Sequence, residues 1–183
     1  MKKVLLIVGS WRTHSFNQQL AEKAAELLEG KAQVRFLHYA DVPFLNQDFE
    51  YPAPEPVARV RQAAQEADGI WIFTPEYNYQ IPGVLKNLLD WLSRPLVPND
   101  WERGSAVKGK VVTVSGAAGA SAAVGVRKQL RMLLEAMRMN PIGGAGTGVA
   151  LDAEAFQSGK LHLSEESEAL LRKQAEELLK AIG

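Results

Sequence analysis

Near the start of the chain, Gly9-Ser10-Trp11-Arg12-Thr13-His14-Ser15-Phe16-Asn17 gathers hydroxyls, an amide and a guanidinium in one short loop. Where such a loop runs from a strand into a helix, free backbone N–H groups and the positive end of the helix dipole attract a phosphate. Ser10, Ser15 and Asn17 would add neutral donors. Arg12 would add a charged one, worth roughly 1.5–3 kcal/mol. The same residues also read as a plain capping box, S-x-x-Q from Ser15 to Gln18, with Arg12 in solvent. A second cluster, Pro75-Glu76-Tyr77-Asn78, offers a phenol whose face could pack on a planar ring, for about 0.5–1.5 kcal/mol beyond burial. Asn78 and nearby amides could bond the polar edge of that ring, while Glu76 either touches a ligand or holds the loop in shape. A third stretch, Ser115-Gly116-Ala117-Ala118-Gly119, is built of small residues that allow close approach to the backbone.

Other chemistries find little support. There is no cysteine, which excludes disulfides, thiolate catalysis and cysteine-held iron–sulfur clusters. His14, His38 and His162 stand singly, with no metal-ligand spacing. Gly143 to Gly148 is glycine-rich but lacks the Gly-Lys-Ser/Thr ending of a phosphate loop, and G-x-G-x-x-G is missing after the first strand. Redox chemistry here would need an organic cofactor.

The elements that position these clusters alternate in type. Val4–Val8 is apolar without alternation, as in a central parallel strand. Gly69–Phe73 is a second buried strand, ended by Pro75. Lys110–Ser115 is another, and Gln33–Leu37 alternates like an edge strand. Leu85, Leu88, Leu89 and Leu92 form one helical stripe within Pro82–Arg94. Further helices are expected over Val57–Ala67, over Ala117–Met139 and, acidic early and basic late, over Ser164–Ile182. Tyr39–Pro56, with four prolines, reads as a long surface connection. Asn140–Val149 is placed as the fifth strand by topology alone. Alternating βα units imply one α/β domain over residues 1–183, with a parallel sheet and right-handed crossovers.

The 183 residues suit one domain, and 21 basic against 21 acidic residues leave no footprint for nucleic acid. The apolar run at the N-terminus is too short for a secretory segment, and nothing approaches a membrane span, so a cytoplasmic location is expected.

Two spaced motifs carry a resemblance. Pro75-Glu76-Tyr77-Asn78 followed by PG-x-LKN-x-x-DW, and the Gly9–Asn17 stretch as GS-x-R-x-x-S-x-N, resemble the flavin loops of the NAD(P)H-dependent FMN reductase family. That resemblance implies a flavodoxin-like three-layer sandwich, its five-stranded parallel sheet ordered 2-1-3-4-5. It also implies bound FMN, with NADPH or NADH as co-substrate and a quinone, flavin, azo compound or chromate as acceptor. Ser10, Arg12, Ser15, Phe16, Asn17, Pro75, Glu76, Tyr77, Asn78, Ser115, Gly116 and Gly119 would line the cofactor, and no side chain need act as acid or base. Where relatives often carry a second glycine pair, this chain reads Gly119-Ala120-Ser121. The resemblance further implies a homodimer or dimer of dimers, for which Trp91, Met132 and Leu134 lie off the expected core stripes. A flavodoxin-type electron carrier and a non-catalytic flavin-binding domain are the alternatives.

Overall fold

The computed structural model describes residues 1–183. Strand β1 (Lys2–Val8) is central, with Val4 to Val8 buried. It leads into α1 (Phe16–Leu28), whose cap Ser15 accepts from Gln18 N at 3.3 Å. The reciprocal half of a capping box is absent, because the Gln18 side chain turns to Glu22 instead. Strand β2 (Ala32–Phe36) pairs with β1 at one edge of the sheet. Next come α2 (Glu55–Glu66), β3 (Gly69–Phe73), α3 (Gly83–Ser93) and β4 (Val111–Ala118). Then follow α4 (Val124–Ala136), two short strands β5 (Asn140–Pro141) and β6 (Gly148–Ala150), α5 (Ala153–Ser158) and α6 (Glu165–Ile182). All pairings are parallel, in the order β2-β1-β3-β4-β5 with β6 also on β4, as in flavodoxin-like sheets.

Two apolar layers cover the sheet. On one face Leu20, Ala24 and Leu28 of α1 meet Leu171, Ala175 and Leu178 of α6 over Leu6 and Trp71. On the other, α2, α3 and α4 lay Val57, Val60, Leu85, Leu88, Val126 and Leu130 over Leu5, Ile7, Ile70 and Ile72. No helix is long and apolar enough to cross a membrane.

Several expectations are corrected. Helix α4 starts at Val124 rather than near Ala117, because β4 continues through Ala118 and the small residues after it form a turn. The buried stripe of α4 is Val126, Leu130 and Leu134, so Leu134 belongs to the core. Trp91, 1% exposed, does too, and its indole N–H donates to Pro43 O at 2.8 Å. Neither residue is free to form an interface. The short helix α5, capped by Asp152, lacked a long enough period to show in the sequence.

The fifth strand is split. β5 pairs with the start of β4 and β6 with its end, while Gly143–Thr147 bulges away between them. Gly146 makes the bulge possible: its φ is +65°, and a Cβ there would collide with the Val114 carbonyl. The Gln174 amide of α6 fills the gap. Its oxygen accepts from Ser115 Oγ, Thr147 N and Thr147 Oγ1 at 2.7–2.9 Å, and its nitrogen donates to Thr113 Oγ1 and Val114 O. A side chain thus satisfies groups that a continuous strand would have paired.

The long connection after β2 is stapled to α3, the helix beyond the Pro75–Asn78 loop. Asn87 accepts from Leu45 N and donates to Pro43 O, and Arg94 Nε meets the buried Glu50 carboxylate at 2.8 Å. Asn87 and Trp91 of the LKN-x-x-DW stretch are therefore anchors for this connection.

Candidate cofactor site

Loops leave the carboxyl ends of three adjacent strands, β1, β3 and β4. The strand order reverses between β1 and β3, since β1 is followed by β2 on one side and β3 by β4 on the other. This is the switch point at which open α/β sheets bind ligands. Backbone bonds tie the loop roots together: Gly9 N donates to Phe73 O at 2.7 Å, and Thr74 N to Ser115 O at 3.0 Å.

In the first loop only Gly9 and Ser15 spend their backbone N–H groups, on Phe73 O and Arg12 O. Those of Ser10 to His14 face no protein acceptor, and α1 opens directly below. This cradle fits a phosphate. Arg12 is exposed on its rim, with Nη2 donating to His14 O at 3.0 Å and the guanidinium over the Phe16 ring at 4.8 Å. Phe16 is itself buried, edge-on to Phe156. Ser10 is half-buried beside Trp11, which packs on Tyr39 with ring centroids 5.4 Å apart. Burial raises the Tyr39 phenol far above its ordinary value, and its hydroxyl donates to Val8 O.

Asn17 departs from expectation. Rather than facing a phosphate, its buried amide exchanges two hydrogen bonds with Ala117, at 2.9 and 2.8 Å, joining the first loop to the third. Ser115 is corrected in the same way. It is fully buried, accepts from the Trp71 indole and donates to Gln174, so its side chain supports the site from below.

In the second loop Pro75 is buried and closes β3. Tyr77 and Gln80 exchange backbone bonds across a tight turn, with Asn78 and Tyr79 both at positive φ. Tyr77 is left 51% exposed, so a face of its ring is free to pack on a ligand. The Asn78 amide is exposed and unspent. Glu76 turns away: Oε1 accepts from Ser121 Oγ and Oε2 from Val126 N, both at 2.7 Å. Its carboxylate holds shape, the second of its two sequence readings.

The third loop runs from Gly116 past Gly119 to Ala122 and Ala123, which sit at φ +47° and +58°. Left-handed backbone costs an alanine about 1–2 kcal/mol. Gly119 is open, with no neighbour within 4 Å of a Cβ built there. Arg127, unnoticed in the sequence, pins the bulge behind this loop by donating to Ala145 O and Gly146 O. Burial lowers its guanidinium below the ordinary value, and the Glu76 charge opposes that shift. Nothing in the spacing of Ser121, Arg127 or Gln174 marks them, because each meets groups brought near only by the fold: Ser121 the Glu76 carboxylate, Arg127 the Ala145 and Gly146 carbonyls, and Gln174 the polar groups of β4 and Thr147.

A sheet with this switch point, a phosphate cradle and an exposed tyrosine beside it defines a flavodoxin-like, flavin-binding class of protein. Residues 2–153 match the NADPH-dependent FMN reductase family model, and the chain belongs to that family. It is 42% identical over 99 residues to a 2-hydroxy-1,4-benzoquinone reductase of a Burkholderia species, spanning about half of each chain (54%). It is 36% identical over 166 residues to a quinone reductase of Pseudomonas putida, covering 87% of this chain and 84% of the relative. Its fold matches the flavoenzyme NAD(P)H:acceptor oxidoreductase FerB of Paracoccus denitrificans with a TM-score of 0.85 at 28% identity, over 100% and 97% of the two chains.

Proposed function

We propose that this chain binds FMN at the three loops and oxidises NADPH or NADH, passing the electrons to a small acceptor of quinone type. The carrying observation is the convergence at one switch point of unspent N–H donors in the first loop with the free face of Tyr77 in the second. Membership in the FMN reductase family and the quinone reductases among its relatives support the same reading. Bound FMN would supply the redox chemistry between nicotinamide and acceptor. The first loop would hold its phosphate through backbone donors, with Arg12 adding charge at the rim. The free face of Tyr77 would pack on the ring, and the open Gly119 region would leave room beside the third loop. No side chain at the site is placed as an acid or base, and hydride transfer needs none.

Desalted protein pre-incubated with FMN should retain it and release a flavin spectrum on heating, and it should prefer FMN to riboflavin, which lacks the phosphate. It should then oxidise NADPH or NADH rapidly only when a benzoquinone is supplied. Failure to retain FMN would overturn the reading, and retention without nicotinamide oxidation would make the protein an electron carrier or a binding domain.

The same proposal includes a homodimer through the outer side of α4. Its support is Met132, 70% exposed, which shares a helical face with the exposed Val124, next to Tyr79 held at its backbone by Gln129. Light scattering at micromolar concentration should report a dimer, and Met132→Glu should shift it to monomer. A monomeric parent would end this part of the proposal.

A further inference from the structure

Helix α4 begins without a cap of its own. Its capping position is Ala123, in left-handed backbone, whose side chain offers no acceptor. The acceptor comes from another loop. Glu76, 50 residues earlier, accepts from the Val126 N–H in the first turn of α4 at 2.7 Å, and its second oxygen accepts from Ser121 Oγ at 2.7 Å. Ser121 Oγ in turn accepts from Ala123 N at 3.3 Å. One carboxylate therefore spans the strained turn at Ala122–Ala123 and neutralises the positive end of the helix. The approach is tight: a Cβ at Gly125 would lie 2.7 Å from Glu76 Oε2, so a side chain there would displace the carboxylate.

We propose that Glu76 is a positioning residue, which with Ser121 latches the third loop to the tyrosine-bearing loop so that the two walls of the site form as one unit. The third loop's own bonds, Ala122 N to Gly119 O, Val124 N to Ser121 O and Ala123 N to Ser121 Oγ, all lie within the turn. None ties it to the tyrosine-bearing loop, so without the latch the third loop would relax away from β3. The inference rests on the FMN-binding reading for its effect on the cofactor, but the latch itself is a property of the unliganded protein.

Three variants test it. Glu76→Ala removes the acceptor of both donors at once. Ser121→Ala removes one arm, and Ser121→Thr keeps the hydroxyl. Hydrogen exchange on the protein without FMN should be at least tenfold faster across residues 119–127 in Glu76→Ala and Ser121→Ala, while α6 is unchanged and Ser121→Thr matches the parent. The FMN dissociation constant should rise about tenfold or more in Glu76→Ala and a few-fold in Ser121→Ala. The double variant should be no weaker than Glu76→Ala alone, because the serine arm loses its Glu76 partner once the carboxylate is gone. Unchanged exchange in residues 119–127, or losses of FMN affinity that multiply independently, would overturn the latch. If the parent binds no FMN, the functional reading fails by itself and the exchange measurement still decides the latch. Should Glu76→Ala not fold, the contrast between Ser121→Ala and Ser121→Thr gives the same decision.

Discussion

Gly116→Ala should destabilise the protein by about 1–3 kcal/mol and weaken FMN binding about tenfold or more, while Gly119→Ala should leave stability within about 0.5 kcal/mol of the parent. The two glycines stand three residues apart in the same small-residue stretch and invite the same explanation from sequence. A Cβ on Gly116 would lie 2.6 Å from Thr74 O and 2.8 Å from the Ala123 Cβ. Neither neighbour can swing away, since one is backbone at the root of the second loop and the other is held in the turn before α4. The added methyl must push β3 and β4 apart just where their loops diverge. At Gly119 the same methyl meets nothing within 4 Å. Denaturant titration of the FMN-free proteins measures the first difference and flavin fluorescence quenching the second. Equal stability of the two variants would show that the third loop yields, and that its small residues are not required by packing.

What could be read in advance followed from how local each feature is. The apolar run Val4–Val8 and the Leu85/Leu88/Leu92 stripe announce a buried strand and a one-faced helix, because burial alone sets those patterns. The free N–H groups of the first loop were readable for a related reason: a loop entering a helix leaves them unpaired whatever surrounds it. Side chains whose partners lie far away along the chain were misread. Asn17 looked like a ligand donor, yet its amide pairs with a backbone 100 residues away. Ser115, read as the end of its strand and as a cofactor contact, is buried strand whose hydroxyl is spent between Trp71 and Gln174. Trp91 and Leu134 fell off idealised stripes by one helical position. A helix packed on a twisted sheet buries a wider face than a narrow stripe suggests. The split fifth strand depended on Gln174, and no local pattern signals a glutamine that replaces a strand.

Asn17→Ala should cost about 2–5 kcal/mol of stability, the largest loss expected from any single side chain at the site. It removes the partner of both the N–H and the carbonyl of Ala117, and each buried backbone group left alone costs about 1–3 kcal/mol. Since this pairing fixes the first loop against the third, FMN affinity should fall with stability. Asn17→Asp makes the cause testable. The carboxylate can still accept from Ala117 N but would set its other oxygen against Ala117 O, which the parent amide approaches at 2.9 Å. Burial and that opposed oxygen both favour the protonated acid, raising its folded-state pKa above the unfolded value of about 4. The folded protein would then bind the proton more tightly than the unfolded chain. Stability of Asn17→Asp should therefore rise as pH falls from 7 through the raised pKa and level off near pH 4, while Asn17→Ala changes with pH no more than the parent. Parallel pH profiles for the aspartate variant and the parent, with a loss for Asn17→Ala under about 0.5 kcal/mol, would mean that the Ala117 backbone finds other partners and that the first and third loops are held together without Asn17.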